Sequence, residues 1–107
     1  MKFDRVEELV LEHFKDGDGA LRARMVVNDA NRFMRGCLKT GCSIGMHTHE
    51  DSCEILYVIS GQGIALMDGK TEQLSAGDFH YCPKGHAHTL RNDEQEDLVF
   101  FAVIPQQ

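Results

Sequence analysis

A chain of 107 residues, 42% apolar and 26% charged, has the composition of one soluble globular domain and excludes disordered and fibrous classes. Its formal net charge of -6, with no run of Lys or Arg, repels phosphate backbones and anionic headgroups, so no nucleic acid and no membrane is expected as a partner. A domain this small buries only a modest share of its unfolded surface when alone, which favours self-association.

At the N-terminus Val6, Leu9, Val10 and Phe14 recur at helical spacing, yet LVLEHF reads equally well as an extended segment. Residues 4–14 are therefore expected as a short helix or an edge strand. Asp, Glu and Arg interrupt this stretch, which therefore lacks the unbroken apolar core expected of a signal peptide, and nowhere are there about 18 consecutive apolar residues. A cytoplasmic location is the expectation. Gly17-Asp18-Gly19 breaks the stretch, dividing an N-terminal arm, residues 1–19, from a domain of residues 20–107.

From Ala20 onward the chain is a series of short β-like runs: LRARMVV, RFMRGCL, SIGMH, CEILYVI, GIALM, EQLS, FHYCP, HTLRN and LVFFAVI. Asp68-Gly69 is a two-residue hairpin signal, because both central positions of such a turn need positive φ. Gly61-Gln62-Gly63 and Ala76-Gly77 mark two further reversals. The pattern predicts an all-β sandwich or barrel. CEILYVIS and LVFFAVIP are apolar on both alternating faces, so something covers the outer face, either the N-terminal segment or a second subunit, and a homodimer is predicted.

Cys37, Cys42, Cys53 and Cys82 match no zinc-finger or redox Cys-x-x-Cys spacing and read as small, reduced, partly buried hydrophobes. Cys53 and Cys82 each lie beside a residue of the constellation that follows.

His47 and His49 are two apart, so on a strand their side chains leave the same face, as two ligands of one ion must. Glu54 opens the next run after Glu50-Asp51-Ser52, where an antiparallel return would set it beside the pair. His88, entered through Pro83-Lys84-Gly85, can join them only in a folded barrel.

Residues 41–61, GCSIGMHTHEDSCEILYVISG, and residues 77–92, GDFHYCPKGHAHTLRN, resemble the two sequence motifs of the cupin family. Gly41, His47, His49, Glu54, Gly61, Gly77, Pro83, Gly85, His88 and Asn92 stand at the motif positions. The resemblance implies a single jelly-roll β-barrel of about six to eight strands. It also implies one divalent transition-metal ion inside one mouth of the barrel, with His47, His49, Glu54 and His88 as its ligands. Three neutral imidazoles and a carboxylate would leave a divalent ion with a formal charge of about +1 and, in octahedral geometry, open positions that invite a bidentate anion. Mn, Fe, Co and Ni accept that geometry, whereas Zn is more readily closed off by four protein ligands.

Similar small cupins include sugar and uronate isomerases, lyases, decarboxylases and dioxygenases. The implied function is thus a metal-dependent enzyme acting on a small polar or anionic molecule, with a non-catalytic small-ligand-binding or sensing module as the alternative. An acid–base step would draw on Tyr57, His80, Tyr81 or His86. The sequence leaves their pleat direction open: His86 reads as a loop residue near the mouth, and His80 as either inward or solvent-facing.

Overall fold

Period-two alternation runs strand by strand through the computed structural model, which describes residues 1–107. In chain order the strands are β1 (Leu9–Glu12), β2 (Ala20–Val27), β3 (Asn31–Leu38), β4 (Ser43–Thr48), β5 (Glu54–Ser60), β6 (Gln62–Met67), β7 (Lys70–Ser75), β8 (Phe79–Cys82), β9 (Ala87–Arg91) and β10 (Leu98–Pro105). Each β-like run of the sequence has become a strand. The nine runs and β1 from the arm make ten strands, rather than the six to eight that the resemblance implies.

All pairings are antiparallel and build two sheets, one ordered β1-β2-β3-β10-β5-β8 and the other β4-β9-β6-β7. The sheets face each other as a jelly roll, with Leu21, Leu38, Leu56, Val58, Leu98 and Phe100 buried between them. Phe100 lies against Gly36 on the neighbouring strand, where an added Cβ would fall on the ring. The Asp68-Gly69 turn has φ of 54° and 74° and closes the β6–β7 hairpin at Met67 and Lys70, as the sequence predicts. No helix is long and apolar enough to cross a membrane.

The arm forms the edge strand and not the helix. β1 pairs with β2 from Leu9 opposite Ala23 to Glu12 opposite Ala20, between two 3-10 turns at Phe3–Arg5 and Phe14–Asp16. An isolated helix of this length is marginal in water, whereas the open edge of β2 offers a row of unpaired backbone groups.

The second 3-10 turn packs on β4. Ser43 N–H donates to the Asp18 carbonyl and Asp18 N–H to Ser43 Oγ, each at 2.8 Å. At Gly45 an added Cβ would fall on the Lys15 carbonyl oxygen. Gly45→Ala is therefore expected to push the turn off the sheet and to cost about 1–3 kcal/mol of unfolding free energy in a urea titration.

Both candidate covers of the outer face have a counterpart on the surface. Val99, Phe101 and Val103 of β10 are half-buried, and Phe3 stands edge-on to Phe101 with ring centroids 5.5 Å apart. Ile55, Tyr57 and Ile59 of β5 and Phe79 and Tyr81 of β8 stay exposed.

Candidate metal centre

The β4–β9 pairing shifts register between Ile44 and His47, and past that irregularity His47 stands directly opposite His88. His49 follows one residue beyond the end of β4 and is held by the turn of residues 83–86. Its N–H donates to the His86 carbonyl at 3.0 Å, and its own carbonyl accepts from Gly85 N–H at 2.7 Å. Gly85 takes φ of 87°, a left-handed conformation that glycine adopts without penalty, and this turns its N–H toward His49.

Glu54 arrives by a different route from the one its spacing suggested. β4 and β5 lie in different sheets, so Glu54 reaches the histidines across the sandwich and not from an adjacent strand. The ligand candidate most distant in sequence, His88, is the one paired to His47 through the backbone.

The four side chains converge. One donor atom from each of His47, His49, Glu54 and His88 lies within 4.8 Å of all the others. Glu54 Oε1 is 2.9 Å from His88 Nε2, 3.0 Å from His49 Nε2 and 3.8 Å from His47 Nε2. The two closer imidazoles approach each other to 3.1 Å between Nε2 atoms. Glu54, His49 and His88 are buried, whereas the His47 side chain keeps 16% of its surface exposed and marks the side from which solvent reaches the cluster.

Burial alone would raise the Glu54 carboxyl, but the His47, His49 and His88 imidazoles overcome it and hold the group well below the usual carboxylate range. His88 moves down, because burial outweighs the opposing pull of Glu54. His47 Nδ1 lies 2.8 Å from the Gly45 carbonyl, which can only accept, so in the neutral ring Nε2 keeps its lone pair toward the cluster. His49 Nδ1 is likewise engaged, by Ser52 Oγ at 3.0 Å.

Three imidazole nitrogens and a carboxylate oxygen brought together away from bulk water are the donor atoms that a single cation can share. Imidazole nitrogen and carboxylate oxygen suit a divalent first-row transition ion, so the residues present fit such a metal.

The acid–base candidates are distributed less favourably. Tyr57 and Tyr81 sit on the outer face, 37% and 53% exposed, because Glu54, Leu56 and Val58 of β5 and His80 and Cys82 of β8 take the inward positions. Neither tyrosine belongs to the cluster. His86 is a loop residue whose Nδ1 lies 2.9 Å from the Asp68 carboxylate on the β6–β7 turn. His80 points inward, 3% exposed, with Nε2 2.9 Å from His88 Nδ1, and so meets that imidazole from behind. Cys53 and Cys82 are buried, and burial pushes the Cys82 thiol up to about 11, the behaviour of a small hydrophobe rather than a nucleophile.

Sequence reasoning passed over Ser52 and Glu72, the hydrogen-bond partners of His49 and His80. Ser52 carries a weak local signal, three residues after His49. Glu72 carries none, lying in a strand whose first four residues are exposed.

A family model described as "Cupin domain" matches residues 34–104, more than half of the chain. An oxalate-binding protein of Thermotoga maritima is 39% identical over 77 residues, which are 72% of this chain and 64% of that protein. An (S)-ureidoglycine aminohydrolase of Escherichia coli is 48% identical over 46 residues, 43% of this chain and 18% of that protein. The chain thus covers less than two thirds of the length of either curated relative. Among solved structures, a predicted oxalate decarboxylase from Thermotoga maritima superposes with a TM-score of 0.93 at 28% identity, covering 99% of this chain and 97% of that one.

Proposed function

Since the chain belongs to the cupin domain family, we propose that His47, His49, Glu54 and His88 bind one divalent transition-metal ion, one of Mn, Fe, Co, Ni or Zn, and that this centre holds a small oxyanion. The observation that carries the reading is the convergence of the cluster, with one donor atom from each of the four side chains within 4.8 Å of all the others. When bound, a divalent ion supplies Lewis acidity and a residual positive charge of about +1 to whatever oxygen donor approaches. The chain's own residues shape that approach: His47 lies on the accessible side, while Glu54, His49 and His88 are enclosed.

Oxalate is the first candidate anion. The Thermotoga maritima relatives bear its name, and its two carboxylates suit a cation with adjacent open positions. Binding ranks ahead of turnover because Tyr57 and Tyr81 face outward and His86 is paired with Asp68, leaving no acid–base group from these three beside a held anion. A metal-dependent enzyme of the decarboxylase, lyase, isomerase or dioxygenase type is the second reading, favoured by a metal-ligand set of only four residues with access at His47.

Calorimetric titration of the Mn-, Fe-, Co-, Ni- and Zn-loaded forms with oxalate, sugar acids, keto acids and diols, followed by product analysis, tests both. Metal-dependent oxalate binding with the anion recovered intact supports the first reading. Formate and CO2 released in equal amounts support the second, and a metal-loaded protein that binds none of these molecules contradicts both.

We also infer a cytoplasmic homodimer. The four cysteines are unpaired, as a reducing compartment would keep them, and Ile55, Tyr57, Ile59, Phe79 and Tyr81 leave an apolar band on the outer sheet. Light scattering at micromolar concentration is expected to give twice the chain mass, and Phe79→Asp to halve it. A monomeric mass for the unaltered chain contradicts the dimer.

A further inference from the structure

Each imidazole of the cluster has a second nitrogen, and the partner of that nitrogen decides which one keeps the lone pair. For His88 the partner is itself a histidine. His88 Nδ1 lies 2.9 Å from His80 Nε2, and the two rings are almost parallel, at 14°. A neutral ring donates from one nitrogen only, so this bond alone could run in either direction.

The direction is set one step further out. His80 Nδ1 lies 3.0 Å from Glu72 Oε1, and an ionised carboxylate only accepts. Donation from His80 Nδ1 to Glu72 leaves His80 Nε2 as an acceptor, which takes the Nδ1 proton of His88 and leaves the His88 Nε2 lone pair facing the cluster. Glu54, 2.9 Å from that nitrogen, draws the same proton toward Nε2, where it would block the donor. Glu72, acting through His80, pulls against it from the back of the ring.

The chain also crosses the fold. His80 comes from β8 and Glu72 from β7, the outer strands of opposite sheets that share no backbone pairing. The His80 side chain is 1% exposed and the Glu72 side chain 54%, so a fixed, dry link ends on a solvated charge.

The geometry points to His80 and Glu72 as positioning residues that hold His88 as an Nε2 donor, an inference that rests on the metal-binding reading above. Three variants separate this role from simple packing. His80→Phe keeps the ring shape and removes both nitrogens, and is expected to weaken Zn binding about 10- to 100-fold in a chelator competition. Glu72→Gln, altered at a solvated position, is expected to weaken it roughly 3- to 10-fold. His80→Gln can accept from His88 through its carbonyl while donating to Glu72 through its amide, and is expected to stay within about 3-fold of the unaltered chain.

Nitrogen NMR of the unaltered, Zn-loaded protein reads the tautomers directly and does not depend on any variant folding. The inference expects protons on Nδ1 of both His80 and His88. A proton on His80 Nε2, or a folded His80→Phe protein with unchanged Zn affinity, overturns it while leaving the metal site in place. An unaltered chain that binds no Zn, Mn, Fe, Co or Ni ends the metal-binding reading and this inference together.

Discussion

Replacing His88 by alanine is expected to cost the chain most of its metal. His88 is the cross-strand partner of His47 and stands 2.9 Å from Glu54, so its loss removes one of four donors and opens the enclosed side of the cluster. Losing an outer-shell partner of a metal ligand costs about 10- to 100-fold in affinity, and losing a ligand must cost more. A dissociation constant raised by at least about 100-fold is expected from chelator competition, with His47→Ala behaving alike. Circular dichroism of the metal-free variants separates loss of a donor from loss of fold. Unchanged affinity in a folded His47→Ala, His88→Ala double variant contradicts the ligand assignment.

The largest expected stability effect lies at the other end of β9, at Asn92, which is fully buried. Its Nδ2 donates to the Leu38 carbonyl at 2.9 Å and to the Glu96 carbonyl at 2.8 Å, while its Oδ1 accepts from Glu94 N–H at 2.8 Å. Its backbone bonds to Gly41 and Cys42 at 2.8 and 3.0 Å. One side chain thus ties the exit of β9 to the end of β3 and to the loop that leads into β10. Alanine keeps the backbone bonds and strands two carbonyls and one N–H, each worth about 1–3 kcal/mol when buried without a partner. Because water can reach part of the exposed loop, Asn92→Ala is expected to lower the unfolding free energy by about 3 kcal/mol in a urea titration. Metal affinity of the folded variant should be unchanged, since Asn92 touches no member of the cluster. A loss below about 1 kcal/mol would show that these groups find other partners.

The strands were legible because period-two alternation and turn chemistry agree along most of the chain. Asp68-Gly69 specifies its own φ values, and LVFFAVIP becomes a strand whose buried and half-buried residues alternate from Leu98 to Pro105. The arm was not legible, because LVLEHF satisfies helix and strand periods equally and the deciding factor, the open edge of β2, is a tertiary one. Convergence of His47, His49, Glu54 and His88 was visible through the motif resemblance. The route was not: spacing placed Glu54 on a neighbouring strand, whereas the chain crosses from one sheet to the other between β4 and β5.

The pleat of β5 and β8 then settled what composition could not. Glu54 faces inward, so Tyr57, three residues on, faces outward, and His80 faces inward while Tyr81 does not. Glu72 illustrates the limit most clearly. An exposed glutamate in a polar strand has no feature that marks it, and its link to His88 exists only because two sheets bring their outer strands to one seam.

The central claim is that four side chains from two sheets share one ion, and anomalous scattering at the absorption edge of the bound metal tests it most directly. The expected result is a single peak per chain at about 2.0–2.5 Å from donor atoms of His47, His49, Glu54 and His88. A metal-loaded crystal with no peak among those atoms, or with its peak elsewhere on the chain, would contradict it.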